Sequence, residues 1–226
     1  MQPDYDATTA LIVVDVQNDF ADAAGSLSVA GGDGIVPYVN AQVAAALDAG
    51  AFVAFTQDWH PPSTPHFVTD GGPWPVHCVA GTWGAALHPA LTQDAGPSIR
   101  KGANGEDGYS GFTMRDPGTG ATLPTELVGL LRAHGICRVV VCGLATDYCV
   151  RDTALDAIAL GYPTSVLVDG VRAVDVRPGD GAAALARLVS AGAVLVSASA
   201  APDAADSVPP AVPGPSAVTT APEPVA

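Results

Sequence analysis

Charge is scarce in this 226-residue chain, and positive charge is scarcest: nine Lys and Arg stand against 23 Asp and Glu, a net charge of −14. Without a basic stripe to neutralise phosphates, the composition argues against a nucleic-acid partner and against an anionic membrane surface. No apolar run is long enough to span a bilayer. The polar, acidic stretch from Met1 to Thr9 lacks the basic and apolar regions of a secretory signal, so a cytoplasmic protein is expected. Cysteine is sparse as well. Cys78, Cys137, Cys142 and Cys149 form no CxxC pair, which fits free thiols better than a disulfide framework.

What is present is a globular composition, 48% hydrophobic, on a chain long enough for one domain with a substantial core. Short, almost wholly apolar runs recur at Leu11–Val16, Ala51–Thr56, Val139–Val141 and Ala193–Val196, and Pro97–Lys101 and Thr164–Asp169 read as further strands. Such runs predict strands buried on both faces of a parallel sheet. Between them lie helical patterns. Val36, Val39, Val43, Ala46 and Leu47 share a face within 34–50, and further helices are expected over 125–134, 147–160 and 181–191. The alternation predicts an α/β fold built from right-handed βαβ units. From Ser197 the composition changes, and residues 201–226 are rich in Ala, Pro, Ser and Thr without periodicity. They are expected to be a disordered tail on a domain of residues 1–200.

Ligands of open α/β sheets bind beyond the carboxyl ends of the strands, so the residues just after each strand carry the argument. The most informative stretch runs from Val139 to Val150. It reads as a strand, a tight turn at Gly143 and a helix opened by Asp147, a turn and cap residue. Cys149 then falls in the first helical turn, where free N–H groups and the helix dipole favour a thiolate and can hold an oxyanion. The competing reading is an inert core thiol. Asp15 ends the first strand. A carboxylate there costs several kcal/mol unless paired, so it either does chemistry or caps a turn. Lys101 ends another strand and can reach the same crevice, unless it is solvated like most lysines.

After Thr56 comes a long Pro- and Gly-rich loop that holds Asp58, His60, His66 and His77. Single loop histidines are usually surface residues. Three in one loop, after a buried strand ending in Asp58-x-His60, suggest a His₂Asp metal site with His66 as a possible fourth ligand. Trp74, held between Pro73 and Pro75, is either the wall of an aromatic pocket or a plug over loop backbone. Gly105, Gly108 and Gly111 surround Tyr109 in what reads as a mobile loop.

Taken together, Asp15-Val16-Gln17-Asn18-Asp19-Phe20, Asp58-x-His60, Trp74-Pro75-x-His77-Cys78, Lys101-Gly102 and Gly143-x-Ala145-x-Asp147-Tyr148-Cys149-Val150 resemble the isochorismatase-like cysteine hydrolases. Within that superfamily they resemble the nicotinamidase (pyrazinamidase) family. The resemblance implies a three-layer α/β/α, doubly wound, Rossmann-like fold with a mostly parallel sheet. It implies a triad of Asp15, Lys101 and Cys149 and an oxyanion hole at the N–H groups of Ala145 and Cys149, with a cis peptide before Ala145. One divalent metal (zinc, iron or manganese) on Asp58, His60 and His77, with His66 as a fourth ligand in some members, is also implied. Phe20, Trp74 and Tyr109 would enclose a pyridine ring. The implied reaction is hydrolysis of nicotinamide to nicotinate and ammonia in NAD salvage, with a small molecule as the only partner, on a monomer or homo-oligomer. The alternatives are another small-amide hydrolase of the superfamily, a metal-hydroxide hydrolase with Cys149 merely packed, and a non-catalytic module.

Overall fold

The structure, a computed structural model, describes residues 3–197. In chain order its elements are β1 (Thr9–Val14), α1 (Asn18–Ala21), α2 (Val36–Asp48), β2 (Phe52–Asp58), β3 (Ser98–Lys101), β4 (Thr113–Arg115) and β5 (Thr122–Pro124). There follow α3 (Leu127–Ala133), β6 (Arg138–Leu144), α4 (Arg151–Ala159), β7 (Thr164–Arg172), α5 (Asp180–Ser190) and β8 (Val194–Val196). Each expected strand is a strand of one sheet, in the order β3-β2-β1-β6-β7-β8. Every neighbouring pair in it is parallel. The expected tail, 201–226, lies outside the described residues.

The central strand explains why its sequence does not alternate. Leu11 and Val13 of β1 face one core with Val36, Val39, Val43 and Ala46 of α2. Ala10, Ile12 and Val14 face the other, with Leu131 of α3, Ala154 and Ala157 of α4 and Leu188 of α5. Both faces are covered, so every position from Ala10 to Val14 is apolar. This is the three-layer, doubly wound arrangement. The chain leaves β1 to one side through β2 and β3, then crosses back to place β6, β7 and β8 on the other. The strand order therefore reverses beside β1, which opens a crevice at the carboxyl ends of β1 and β6.

Gly143 is not the turn that the sequence suggests. The strand β6 runs on through Leu144, and Gly143 sits inside it with φ +115°, where a Cβ would lie 2.0 Å from the Val14 carbonyl oxygen. Only glycine allows this approach, and the register between β6 and β7 shifts at the same point. The segment Thr146–Val150 then winds as a π-helix that leads directly into α4.

A further feature follows the Gly-rich segment around Tyr109, which reads from the sequence as a mobile loop. Here β4 and β5 form a small antiparallel hairpin. The preceding segment is pinned by a 2.8 Å bond from the Gly111 N–H to Thr153 Oγ1 and by the fully buried Phe112. Three-residue strands are too short to leave a periodic signal. All four cysteines are free, and no helix among the described residues is long and apolar enough to cross a membrane.

Candidate active site

Four strand ends meet in the crevice: Asp15 follows β1, Asp58 closes β2, Lys101 closes β3, and Ala145 through Cys149 follow β6. Lys101 is 1% exposed and bridges the other groups. Its Nζ donates to Asp15 Oδ2 at 2.7 Å, to Asp58 Oδ1 at 2.5 Å and to Cys149 Sγ at 3.5 Å. An ammonium has three protons, and all three are matched here. Asp15 does not cap a turn. Its backbone sits at φ +47°, a conformation rare outside glycine, and its Oδ1 accepts the Thr56 hydroxyl at 2.6 Å. Such an outlier persists only where neighbours over-determine it.

Burial sets the ionisation states. It would depress the Lys101 ammonium, but Asp15 and Asp58 outweigh it and keep this lysine charged. Burial raises Asp15 despite Lys101, whereas Asp58 is held well below the carboxylate range by Lys101, His60 and His77 against the same burial. Cys149 is pushed well above the usual thiol range, first by burial and then by the two carboxylates, with only Lys101 opposing. Burial and the carboxylates thus work against the thiolate that its place at a helix start favours. Asp15, itself raised by burial, is the carboxylate on the other side of the Lys101 ammonium from Asp58.

The loop histidines converge next to this cluster. One ring nitrogen from each of His60, His66 and His77 lies within 4.8 Å of the others, and all three rings are buried. Asp58 Oδ2, on the far side of the carboxyl group from Lys101, is 3.7 Å from His60 Nε2 and 3.8 Å from His77 Nε2. These are not hydrogen bonds. His77 Nδ1 donates to the Pro75 carbonyl at 2.7 Å, which leaves its Nε2 as a lone pair turned inward. His60 has no partner at either nitrogen, although it is 2% exposed. Its ring lies flat enough against Gly102 that a Cβ there would be 2.7 Å from Nδ1. A buried, unsatisfied ring nitrogen costs about 1–3 kcal/mol. Imidazoles with free lone pairs beside a carboxylate fit a divalent cation such as zinc. The other acidic group, Asp15, Asp58 and Cys149, has the Lys101 ammonium as its cation instead.

A cleft of about 350 Å³ opens over Cys149, His66 and His77. Phe20, Trp74 and Tyr109 line it, as the resemblance implies. Trp74 is a wall rather than a plug: its Nε1 donates to the Tyr109 hydroxyl at 2.9 Å, and the Tyr148 ring meets it edge-on at 4.9 Å. Tyr148, Leu27 and Val174 also line the cleft and were not singled out from the sequence. Tyr148 adjoins Cys149 and was discoverable from that position, while Val174 carries no local signal. Thr56 and Asp107, which hold Asp15 and His66, were missed too. Asp147 does not cap its own helix. Its carboxylate accepts the N–H groups of Val174 (2.9 Å) and Asp175 (2.8 Å), tying the loop after β7 to the site. The peptide before Ala145 is cis, as expected, and Ala145 lines the cleft beside Cys149.

Residues 9–200 match the isochorismatase domain. The chain belongs to that family. The nicotinamidase of Escherichia coli (strain K12) is 41% identical over 203 residues, which cover 82% of this chain and 93% of that protein. The crystal structure of the pyrazinamidase of Pyrococcus horikoshii in complex with zinc is similar with a TM-score of 0.75 and 40% identity, over 84% of this chain and 99% of that one. PnC1 from L. infantum, solved in complex with nicotinate, gives a TM-score of 0.79 at 39% identity, over 88% and 98% of the two chains.

Proposed function

We propose that this chain is a nicotinamidase that hydrolyses nicotinamide, and pyrazinamide as well, through a thioester on Cys149. The observation that carries this reading is the single buried ammonium of Lys101, bonded at once to Asp15, Cys149 and Asp58 beside an aromatic cleft. The likeness to nicotinamidases over most of the chain supports it.

In this reading Asp15 takes the thiol proton as Cys149 Sγ attacks the carboxamide carbon. Lys101 stabilises the sulfur as charge develops on it, and the N–H groups of Ala145 and Cys149 hold the oxyanion. Asp15 returns the proton to the nitrogen, and ammonia leaves. Water then attacks the thioester with Asp15 again as base, which releases nicotinate and restores the thiol. Phe20, Trp74 and Tyr109 enclose the ring and exclude water. Asp58, His60 and His77 would hold one divalent cation (zinc, iron or manganese), with His66 beside them as the candidate fourth ligand. Bound there, it supplies a Lewis acid for the ring nitrogen and so orients the carboxamide towards Cys149. Residues 1–200 would form the catalytic domain, with 201–226 a dispensable tail. The free thiols fit a reducing, cytoplasmic setting.

The test is ammonia release from nicotinamide by the purified protein, with and without a chelator. Release that the chelator abolishes supports the reading. No release from nicotinamide or pyrazinamide contradicts it, and release unaffected by complete metal removal refutes the role given to the histidines.

A further inference from the structure

The three histidines are not held alike. His77 is oriented by a backbone carbonyl and His60 by packing alone, but His66 is held by a carboxylate. Its Nδ1 lies 2.8 Å from Asp107 Oδ1. A carboxylate only accepts, so Nδ1 carries the proton and the lone pair is on Nε2. The ring is 6% exposed and stacks on His60 with centroids 4.9 Å apart.

Asp107 is itself fixed from several directions. Its backbone exchanges two hydrogen bonds with Arg115, at 2.7 and 2.6 Å, in an antiparallel bridge to β4. The Arg115 guanidinium binds its Oδ2 at 3.0 Å, and the Gly108 N–H binds its Oδ1 at 2.8 Å. The carboxylate is thus held by the 107–115 segment before His66 reaches it.

We infer that Asp107 is a positioning residue that sets the tautomer and orientation of His66 and thereby makes it the fourth donor of the metal site. The inference rests on the metal-site reading above. It adds that the hairpin arm from Asp107 to Arg115, far from the loop in sequence, controls how many nitrogens the cation receives. A histidine without such a partner is free to flip its ring or exchange tautomers, and outer-sphere partners of this kind are commonly worth 10- to 100-fold in metal affinity.

The test uses the full-length protein, with Zn²⁺ affinity from chelator competition and the visible ligand-field spectrum of Co²⁺ as the probe of donor number. Asp107→Ala is expected to weaken Zn²⁺ binding by about 10- to 100-fold and to shift the Co²⁺ spectrum as His66→Ala does. Asp107→Asn keeps an acceptor oxygen and should restore most of both. In the double variant the loss should not exceed that of His66→Ala alone. Wild-type affinity and spectrum in Asp107→Ala would overturn the inference, and so would losses that add in the double variant. If the wild-type protein binds neither ion, the metal site itself is refuted. Binding that His60→Ala abolishes and Asp107→Ala leaves untouched refutes only the role of Asp107.

Discussion

The two halves of the site are built to opposite rules. Around Lys101 every strong polar group has its partner, and the three side chains of the proposed triad extend from the ends of three strands in a sheet packed on both faces. Around His60 the groups come from a Pro- and Gly-rich loop, and buried nitrogens face one another without hydrogen bonds. The first half is satisfied by the protein alone. The second is complete only with a cation, and it owes its shape to partners outside it, such as the Pro75 carbonyl and Asp107. Asp58 belongs to both, with one oxygen on Lys101 and the other facing the histidines. In the proposed mechanism, chemistry and substrate positioning are therefore separate assemblies joined by one carboxylate.

That division can be broken by mutation. The largest expected effect is Cys149→Ala, which should lower ammonia release by at least about a thousandfold while leaving Zn²⁺ affinity unchanged, as read by chelator competition. Lys101→Met should abolish turnover and also destabilise the fold by about 3–5 kcal/mol in denaturant titration, because two buried carboxylates are left facing each other. Next, metal removal or His60→Ala should suppress activity and weaken substrate binding while leaving the thiol of Cys149 available to an alkylating reagent. A parallel loss of alkylation would mean that the halves are not separable. Smaller again, Tyr109→Phe removes one hydrogen bond to Trp74, worth about 1 kcal/mol, and should raise KM several-fold with little change in kcat. Deleting residues 201–226 should change neither constant.

The legibility of the two halves differs for a physical reason. Asp15 and Lys101 stand out in the sequence because each ends an expected strand, and Cys149 because it opens the helix after one; a parallel sheet brings such ends to one edge. Asp58-x-His60 and His77 are visible as residue types with metal chemistry. What holds these groups is not visible. Thr56 on Asp15 and Asp107 on His66 are ordinary polar residues whose partners are each 41 positions away in the chain. What opposes a thiolate at Cys149 was also out of reach, since a helix start favours the thiolate while burial and the Asp15 and Asp58 carboxylates push the thiol up. Gly143 was read as a turn because glycine marks turns more often than it marks the close approach of two strands.

The central claim is that the nucleophile is Cys149. Acid-quenched turnover of nicotinamide, followed by mass analysis of the peptide that contains Cys149, tests it most directly. The account predicts a nicotinoyl thioester on that peptide in the wild-type protein, and neither adduct nor activity in Cys149→Ala. An unmodified peptide during turnover, together with retained activity in Cys149→Ala, would contradict it.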